Sequence, residues 1–592
     1  MSMQRRVTTH QMLNFGDILE QRFPQFVGRH QRAAKALSHF LGMLFYEQRF
    51  QQFEQDYPHL NGFDFVEAVL RYFDFHIRLR EDERARIPST GRVVIVANHP
   101  IGSLDGIALL NLVRQVRPDV KVVANELLMA VRPLREVLLP VDNMGGNTAR
   151  QNLINIRAHL ADDGALIIFP AGEVSRLCAK GIKDTVWNSG FVKIASTVKA
   201  PVLPIFVKGR NSAFFYGLSF LAKPLSTAWL IREMFKQSHR TIDARVGRPV
   251  PHEVYSANDF SAKKVAHLFR KHVYRLGRGA KPLFKTIETV APAEAKLLVR
   301  RELQSCEVLG KTHDGKTIYL TQMAECPCVM REIGRLRELT FRMVGEGSGL
   351  SRDLDRFDRT YLQLVLWDDT EREIAGAYRL GRAKELVDQG GMDALYTHSL
   401  FHFGAGMAPF LAQGLELGRS FVQPKYQNKY ALDYLWCGLG AYVSKHPEIR
   451  YLFGPASISR LYGKEGISRL MYFYSSHFGN LKVDVTARNP FTISSDLTRQ
   501  LEQEFTGIDY DQDFRALKDT LAEQGLPIPV LFKHYAHATE SNGVAFTAFN
   551  IDPEFSDCVD AFVLVDLQQL TPRKRKRYLT GETLDGSDSI KR

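Results

Sequence analysis

The sequence lacks any long apolar run and any recognisable secretion signal. No stretch among the 592 residues reaches the roughly 18 to 20 uncharged apolar residues that a membrane-spanning helix needs. The first residues, MSMQRRVTTHQML, contain no apolar core followed by a small-residue cleavage site. These absences argue against an integral membrane protein and against a secreted one, and we expect a protein that stays in the cytoplasm.

Cysteine is scarce, and its spacing fits neither a disulfide framework nor a metal site. The close pair Cys326-Pro-Cys328 has no second pair at the spacing of a zinc site. We therefore predict no metal site and expect reduced thiols. The six cysteines are Cys178, Cys306, Cys326, Cys328, Cys437 and Cys558.

The length and charge of the chain indicate two domains and a polyanionic partner. Single hydrophobic cores stop growing near roughly 250 to 300 residues, so a chain of 592 residues needs more than one. Hydrophobic residues make up 45% of the chain and charged residues 24%, as in ordinary globular proteins. The formal net charge of +13 suits nucleic acid, an anionic bilayer or an acidic acyl carrier protein, and composition does not choose among these.

A helical segment is predicted for residues 1–85. Apolar residues such as Leu37, Phe40 and Leu44 recur there at steps of three and four, beside basic residues such as Arg32. Such a helix either lies on a bilayer with its amphipathic face or packs as an ordinary helix on its own domain.

Residues 86–280 and 301–570 each predict an α/β domain. Short β-branched runs alternate with helical stretches, which is typical of strands buried between helices. In the first domain the strand candidates are 93–97, 120–124, 165–169 and 202–207. In the second, a helix is predicted over 431–444, and the strand candidates are 361–367, 374–379, 416–422, 450–454 and, late in the chain, 562–565.

Two segments lack periodicity. Residues 281–300 are the predicted linker, because Gly, Pro, Ala and Lys gather around them. Residues 571–592 form a basic polar tail that we expect to be disordered, and its basic cluster either contacts acidic lipid or is simply solvated.

The most informative stretch of the first domain joins a strand to a helix through polar residues. It reads VVIVANHPIGSLDG from residue 93, and loops at strand ends are where α/β domains place reactive groups. His99 has the pKa range of a base that takes a proton from a hydroxyl, and Asp105 could orient and stabilise its ring. Alternatively, Asp105 or Ser103 only caps the following helix, and His99 is a hydrogen-bonded turn residue.

Two further strand-then-loop blocks follow in order, FPAGEVSR over 169–176 and VLPI over 202–205. The ordered set resembles the lysophosphatidic acid acyltransferase superfamily over about residues 85–250. The resemblance implies a glycerolphosphate-acyltransferase-like α/β fold, with His99 as general base and Asp105 as its partner. It also implies an acceptor site lined by Asn98, Gly172, Glu173 and Arg176.

The sequence departs from that family's pattern at two points. The family has four residues between His and Asp whereas this chain has five, so a turn around Gly102 must bring Asp105 back to the ring. In this the chain looks like the branch that includes lyso-ornithine-lipid acyltransferases. The Glu of the family's Phe-Pro-Glu-Gly block is Ala171 here, with Glu173 two positions later. This weakens the case for glycerol phosphate as acceptor, and Arg176 could bind a carboxylate instead.

Charged residues in the second domain occupy a strand that would normally be apolar. Glu416 and Arg419 lie on the strand candidate 416–422, and buried charges need partners. With residues before and after, they match the order and local spacing of the carrier-protein-dependent branch of the GNAT fold. That branch includes acyl-homoserine lactone synthases and ornithine N-acyltransferases, often described as hemolysin-like. The resemblance covers about residues 300–480 and rests on Arg337, Phe341, Asp355, Asp358, Arg379, Glu416, Arg419 and YLFGPAS at 451–457.

The resemblance implies a GNAT-like, acyl-homoserine-lactone-synthase-like α/β fold that acylates an amine. An amine must lose a proton before it attacks a thioester, so Glu416 is the candidate base, acting directly or through water. Arg419 is the second candidate catalytic residue, and with Arg379 it would hold carboxylate or phosphopantetheine groups. The alternative is a buried structural ion-pair network. The other candidate substrate-binding residues are Arg337, Phe341, Asp355 and Asp358.

The acyl donor is predicted to be acyl carrier protein rather than coenzyme A. Enzymes of this fold that use acetyl-CoA cradle the pyrophosphate on a Gly-rich turn after the central strand. Here the chain reads QPKYQNK over 423–429, in which Lys425 and Lys429 suit an acidic carrier. We expect no bound cofactor.

Fusion of the two domains is advantageous if one domain produces the substrate of the other. N-acylation of an amino acid with a 3-hydroxyacyl group creates the hydroxyl that the first domain would esterify. The arrangement resembles the bifunctional ornithine lipid synthases of bacteria. Implied partners are acyl carrier protein, ornithine, a lyso-aminolipid and the cytoplasmic face of the inner membrane, where the protein would be peripheral.

Two alternatives stay open. One keeps both reactions and changes the headgroup to glycine, glutamine, lysine or another amine. The other is a non-enzymatic, hemolysin-like protein that binds membranes through basic helices. Nucleic acid is not an expected partner, because charge alone favours it and no recognition motif is present.

Overall fold

The computed structural model describes residues 24–102, 104–125, 128–129, 131–141, 150–179, 181–221, 223–257, 260–427, 430–479, 483–540 and 542–580. Residues 1–23 of the predicted helical segment and 581–592 of the predicted tail lie outside these ranges. The chain divides into two units, Met1–Thr289 and Val290–Arg592, and the division falls within the predicted linker. Each unit has its own sheet and cores.

Unit 1 contains nine strands and twelve helices among its described residues. The strands are β1 His76–Arg78, β2 Val93–Ala97, β3 Lys121–Asn125, β4 Leu138–Val141, β5 Ala165–Ile168, β6 Arg176–Cys178, β7 Gly181–Lys183, β8 Val202–Lys208 and β9 Thr241–Val246. The helices are α1 Pro24–Arg29, α2 Gln31–Leu44, α3 Glu47–Asp56, α4 Gly62–Tyr72, α5 Glu81–Arg84, α6 Leu104–Arg114, α7 Arg150–Ala161, α8 Gly190–Thr197, α9 Ala213–Leu221, α10 Lys223–Lys236, α11 His252–Ser256 and α12 Ala262–Leu276.

The main sheet of unit 1 has the order β1-β9-β8-β2-β5-β3-β4. All neighbouring strands are parallel except β8 and β9. Helices cover both faces, since Val93, Ile95 and Ala97 of β2 pack with α4 and α6, whereas Val94 and Val96 pack with α7, α8 and α12. The carboxyl ends of β2 and β5 therefore lie side by side at one edge of a buried sheet.

The four predicted strands of unit 1 are confirmed with shifts of one residue at some ends. The segment predicted as helical contains α1 to α5 but also contributes β1, which pairs with β9 at the edge of the sheet. Its HIR sequence is too short to show a strand period. Among the helices that the structure describes in either unit, none is long and apolar enough to cross a bilayer.

Unit 2 contains ten strands and eleven helices among its described residues. The strands are β10 Glu307–Lys311, β11 Lys316–Gln322, β12 Leu362–Asp368, β13 Glu373–Arg382, β14 Phe401–Phe403, β15 Gly414–Val422, β16 Tyr451–Ile458, β17 Val485–Ala487, β18 Val544–Asp552 and β19 Cys558–Asp566. The helices are α13 Lys296–Leu303, α14 Pro327–Met343, α15 Ala383–Gly390, α16 Tyr396–Leu400, α17 Ala408–Ala412, α18 Ala431–Lys445, α19 Gly463–Phe478, α20 Ser495–Glu504, α21 Tyr510–Glu523, α22 Val530–Ala536 and α23 Pro572–Leu579.

The main sheet of unit 2 has the order β10-β11-β12-β13-β15-β16-β19-β18. Its neighbouring strands are antiparallel except β15 and β16. Helix α14 packs on one face with residues such as Ala377 and Phe421, and α18, α19 and α22 pack on the other. The α/β prediction is thus confirmed for both units, including the strand at 562–565, which belongs to β19. The prediction of a disordered tail from residue 571 is wrong for its first part, because Pro572–Leu579 form α23, which is held by Tyr578 in the core and by the ion pair of Arg577 with Asp433.

Strand β15 has two irregularities that the sequence pattern does not predict. Its parallel pairing with β16 ends at Glu416 opposite Phe453, although both strands continue. On its other side Arg419 and Ser420 together face only Tyr378 of β13, which is a β-bulge. Arg419 has a φ of 49°, a left-handed conformation that costs a residue with a side chain roughly 1–2 kcal/mol. Both features break the regular sheet within a few residues of the predicted charges.

Candidate active sites

His99 and Asp105 are brought together at the carboxyl edge of the unit 1 sheet. His99 follows β2, and its Nδ1 lies 3.2 Å from Oδ2 of Asp105. The imidazole stacks on Phe169 with ring centroids 4.2 Å apart, and 18% of its side chain is exposed while Asp105 is fully buried. With Nδ1 facing the carboxylate, the other ring nitrogen is the one that can accept a proton from a substrate.

The five-residue spacing is accommodated by Gly102. This residue has a φ of 101°, and a Cβ there would lie 2.4 Å from a methyl group of Val174, so only glycine fits. The N–H groups of Ile101 and Gly102 each donate to Asp105 over 2.9 Å, and that of Gly106 over 3.0 Å. The turn that the sequence required around Gly102 is present, and Asp105 both closes it and faces the histidine.

Electrostatics favour the charged pair. Burial alone lowers the pKa of His99, but the Asp105 carboxylate outweighs it, and the pKa of His99 is raised above its usual value. Burial raises the pKa of Asp105, but His99 and the backbone N–H donors outweigh burial and hold it below its usual value. Asp105 therefore stays ionised and stabilises the imidazolium that forms when His99 takes a proton.

A second carboxylate, which the sequence reasoning missed, holds the two loops of this site together. Asp184 is buried, and its Oδ1 accepts hydrogen bonds from the backbone N–H of His99 (3.3 Å) and the hydroxyl of Ser175 (2.5 Å). Its Oδ2 accepts from the indole of Trp187 at 2.8 Å, and the N–H of Ser175 donates to the carbonyl of His99 at 2.8 Å. The spacing DxxW at 184–187 is the only signal in the sequence that could have drawn attention to it.

The predicted acceptor residues lie on the loop that Asp184 ties to His99, with one exception. Gly172 forms a turn with a φ of 66°, and Glu173 contacts both Arg176 (3.3 Å) and the hydroxyl of Thr185 (3.0 Å). Asn98 instead bonds the backbone N–H and carbonyl of Val207, both at 2.8 Å. Its amide joins β2 to β8, so its structural role is to fix the strand end that carries His99.

In unit 2 the predicted arginines and aspartates form one buried network. Arg337 donates to Asp358 (2.9 Å) and Gln363 (2.7 Å). Arg379, fully buried, contacts both oxygens of Asp355 at 2.7 Å and Asp358 at 3.4 Å. Burial opposes ionisation of Asp358, but the two guanidinium groups overcome this and lower its pKa to about 2. Nε and Nη2 of Arg379 have no hydrogen-bond partner among the described residues, which leaves buried donors for a ligand.

Glu416 lies at the inner end of the unpaired stretch between β15 and β16. It is 1% exposed, and one carboxylate oxygen accepts from the backbone N–H of Thr397 at 2.6 Å while the other accepts from the hydroxyl of Tyr361. Burial raises its pKa. Glu416 is therefore already engaged on both oxygens and has almost no contact with solvent.

Arg419 is turned by the bulge onto the face of the sheet that α14 covers. Its Nε lies 3.3 Å from Asp353, and its guanidinium lies over the rings of Tyr396 (5.0 Å) and Phe555 (4.5 Å). The predicted substrate residue Phe341 packs edge-on against Phe555 with centroids 5.2 Å apart. Arg419 and Phe341 are thus joined through an aromatic residue from the end of the chain.

Besides Asp353, three further carboxyl groups near Arg419 were missed from the sequence. Asp552 and Asp560 come from β18 and β19, and Glu346 from the loop after α14. Burial raises the pKa of Asp560 to about 7 and that of Glu346 to about 8. They are widely separated along the chain, and no spacing connects them.

The loop predicted to meet a carrier protein carries less free charge than expected. Lys425 contacts Glu371 at 2.5 Å and Glu373 at 2.9 Å. Lys429 lies outside the described residues. The side chain of Lys425 is therefore partly neutralised within the fold.

Known proteins match both halves of the chain. Residues 25–280 match the family described as acyltransferase, and residues 336–437 match the acetyltransferase (GNAT) domain. Glycine N(alpha)-acyltransferase of Bacteroides thetaiotaomicron is 32% identical over 318 residues, which cover 52% of this chain and 94% of that protein. Lyso-glycine lipid O-acyltransferase of Phocaeicola vulgatus is 30% identical over 244 residues, 40% of this chain and 86% of its own.

A third relative is named for a different amino acid, ornithine. L-ornithine N(alpha)-acyltransferase of Rhizobium meliloti is 29% identical over 176 residues, which cover 28% of this chain and 58% of that protein. One chain is therefore similar to proteins that are named for two different acyl transfers.

Proposed function

We propose that the chain carries out both N-acyl and O-acyl transfer on one aminolipid, because it belongs both to the family of the glycine N(alpha)-acyltransferases and to that of the lyso-glycine lipid O-acyltransferases. It is a two-domain acyl-transfer enzyme with PlsC-like and GNAT domains. In the proposal, unit 2 acylates the α-amine of an amino acid with a 3-hydroxyacyl group from acyl carrier protein. Unit 1 then esterifies the new hydroxyl.

The unpaired stretch of β15 and β16 is the observation that supports thioester binding in unit 2. Beyond Glu416 and Phe453, the described residues of β15 and β16 do not pair with each other. Their backbone N–H and C=O groups can therefore form hydrogen bonds with the amides of an extended pantetheine arm, as an added strand would. The bulge places Arg419 at this stretch, and Arg379 offers unpartnered donors for a carboxylate. A thioester and an amino acid can therefore meet on one face of the sheet.

The His99 and Asp105 pair is the observation that supports hydroxyl acylation in unit 1. In the neutral ring the proton on Nδ1 faces Asp105, which leaves Nε2 as the acceptor for the hydroxyl proton. The hydroxyl oxygen then attacks the thioester carbonyl, and the imidazolium returns the proton to the departing sulfur. Arg176 would hold the carboxylate of the lyso-lipid.

Ornithine is the proposed headgroup, with glycine as the second candidate. Ornithine is supported by the acidic groups around Arg419, because a bound dication favours ionisation of Asp552, Asp560 and Glu346, and these could then hold the second ammonium that glycine lacks. Glycine is supported by the relatives named for it, one of which is matched over 94% of its length. Purified enzyme, a long-chain 3-hydroxyacyl carrier protein and each amino acid in turn, analysed by mass spectrometry, decide between them. No amide from either amino acid would contradict the proposal.

We place the enzyme on the cytoplasmic face of the inner membrane, held by α2. Leu37, Phe40 and Met43 recur every three residues on this helix and are 37%, 56% and 67% exposed, beside the basic Arg32 and Lys35. An amphipathic helix of this kind buries its apolar side chains in the headgroup region while its basic residues attract anionic lipid.

Acidic residues on that face should release the enzyme from membranes. The double variant Phe40→Glu and Met43→Glu is expected to lower the fraction that sediments with phosphatidylglycerol vesicles at least tenfold. Val530→Glu in unit 2 is the matched control, since Val530 is 67% exposed but lies on another helix. Equal sedimentation of the double variant and the parent would show that α2 does not bind the bilayer.

A further inference from the structure

Asp560 is a buried carboxylate that the sequence-predicted chemistry does not use. It lies on β19 opposite Ser457 of β16 and is 2% exposed. Its Oδ1 accepts a hydrogen bond from the Ser457 hydroxyl at 2.6 Å, whereas Oδ2 accepts none from the residues that the structure describes. Ser457 belongs to the part of β16 that is not paired with β15. The free oxygen of Asp560 is therefore available near the stretch where the thioester is proposed to bind.

The groups that act on Asp560 come from several elements of unit 2. Arg419 of β15 lowers its pKa, Asp552 at the end of β18 raises it, and Cys558 precedes it on β19. Glu346, after α14, is half-buried, and its pKa is raised by burial and by the charge of Asp560. The guanidinium of Arg419 therefore lies near the carboxyl groups of Asp560, Asp552 and Glu346. It also contacts Asp353 at 3.3 Å.

Tyr396 lies beside the same charged groups as Asp560. It is 8% exposed, and the charges of Arg419, Asp560 and Asp552 all act on its hydroxyl. An ammonium or amine bound between this hydroxyl and the free oxygen of Asp560 would contact both groups.

Glu416 is less suited to proton transfer than Asp560. Both of its oxygens are occupied by Thr397 and Tyr361, and an amine would have to displace one of these donors to reach it. Its contacts join β15 to α16 and to Tyr361, the residue before β12, so Glu416 positions the parts of the site. Asp560 has an oxygen that no donor occupies.

We propose that Asp560 is the catalytic base of the amide-forming unit and takes the proton from the ammonium of the acceptor amino acid. This inference rests on the proposed N-acylation. Asp560 removes one proton from R–NH3⁺, and the amine nitrogen attacks the thioester carbonyl carbon. The C–N bond forms, the C–S bond breaks, and the departing thiolate takes a second proton from the nitrogen. Asp560 then releases its proton to solvent, which leaves an amide, a thiol and one free proton.

Asp560→Asn tests the proposal, because the amide keeps an oxygen for the Ser457 hydroxyl but cannot take the proton. We expect the N-acylation rate with ornithine, or with glycine if that is the acceptor, to fall by about 10²–10⁴-fold. The rate of the parent enzyme should rise with pH through a midpoint near 7, since the pKa of Asp560 is about 7 and its ionised form is active. In the variant this rise should vanish.

Asp566→Asn is the matched control, because Asp566 lies on the same strand, pairs with Arg450 at 2.7 Å and is not among the groups that act on Asp560. Its plateau rate should stay within about threefold of the parent, with the same midpoint. Asp552→Asn keeps the oxygen that caps Glu554 but removes a charge that raises the pKa of Asp560, so the midpoint of this variant should move to lower pH. Glu416→Gln should lower the rate without removing the rise with pH.

Stability separates loss of catalysis from loss of fold. A carboxyl whose pKa is raised on folding contributes stability that is complete below its unfolded value of 3.8 and is lost as pH rises through about 7. Asp560→Asn avoids that loss, so its thermal midpoint should exceed that of the parent at pH 8, and the two midpoints should converge as pH falls toward 3.8. The same change should therefore stabilise the protein and inactivate it.

Two results would overturn the assignment. One is an Asp560→Asn variant that keeps its rate and its rise with pH, and the other is a Glu416→Gln variant that alone abolishes that rise. An inactive parent enzyme with every amino acid would instead contradict the proposed function, and the two failures are thereby distinguished.

Discussion

Alanine at position 99 is expected to lower the rate of lyso-lipid O-acylation by about 10²–10⁴-fold, while N-acylation continues at the parent rate. The imidazole is the basic group that Asp105 holds at 3.2 Å, and without it the hydroxyl has no proton acceptor. Cells that express His99→Ala should therefore accumulate monoacylated aminolipid, which mass spectrometry of total lipid extracts detects directly. His239→Ala is the control, because His239 is an exposed histidine of unit 1 that pairs with Asp74.

The pH dependence of the same step follows from the pair. His99 acts as a base only when neutral, and its pKa is raised above 6.5 by Asp105, so O-acylation should rise with pH through a midpoint above 6.5. Burial is the largest influence on the pKa of His99, and in Asp105→Asn only the smaller charge effect of Asp184 opposes it, which should move that midpoint below 6.5 and lower the plateau. A diacylated product from His99→Ala at the parent rate would contradict the assignment.

The first site was largely predictable because its parts are close together in sequence. His99, Gly102 and Asp105 lie within one strand-turn-helix unit. The sequence alone indicated that a turn at Gly102 accommodates the additional residue between His99 and Asp105. Asp184 was not predictable, since it acts on the backbone of His99 from 85 residues away. Because every residue except proline has a backbone N–H, a carboxylate that accepts from the backbone does not require a particular residue type as its partner. The sequence therefore contains no pattern that links the two positions.

The second site was predictable in its residues but not in its arrangement. The order Arg337, Asp355, Asp358 and Arg379 located the ion-pair network, yet periodicity cannot show that Arg419 stands at a bulge with a positive φ. Strand patterns describe which residues alternate, whereas the bulge and the end of the β15–β16 ladder depend on the neighbouring strands. Asp560 was missed for the same reason, because β19 approaches this face only through the order of the folded sheet.

Removal of the Arg379 guanidinium is expected to have the largest effect on stability. Arg379→Met leaves Asp355 without its two 2.7 Å contacts and Asp358 with Arg337 alone, and unpaired buried charges typically cost about 3–5 kcal/mol. Arg382→Met is the matched control on the same strand, since that side chain is 29% exposed and pairs with Glu385 and Glu448. Surface pairs of that kind contribute about 0–1 kcal/mol. Urea unfolding of unit 2, followed by tryptophan fluorescence, measures both.

The origin of that cost can be tested within the same network. The pKa of Asp358 is lowered to about 2, so its ion pairs stabilise the fold above its unfolded value of 3.8, and that stability is lost as pH falls through about 2. With Arg379 removed the pKa of Asp358 rises, so its carboxyl is protonated at a higher pH than in the parent. The difference in free energy of unfolding between Arg379→Met and the parent should therefore shrink as pH falls from 3.8 toward 2. Asp355→Asn added to Arg379→Met should recover part of the lost free energy of unfolding. A constant difference across this pH range would show that Arg379 stabilises unit 2 by packing on Tyr361 and Tyr396 and not through its charge.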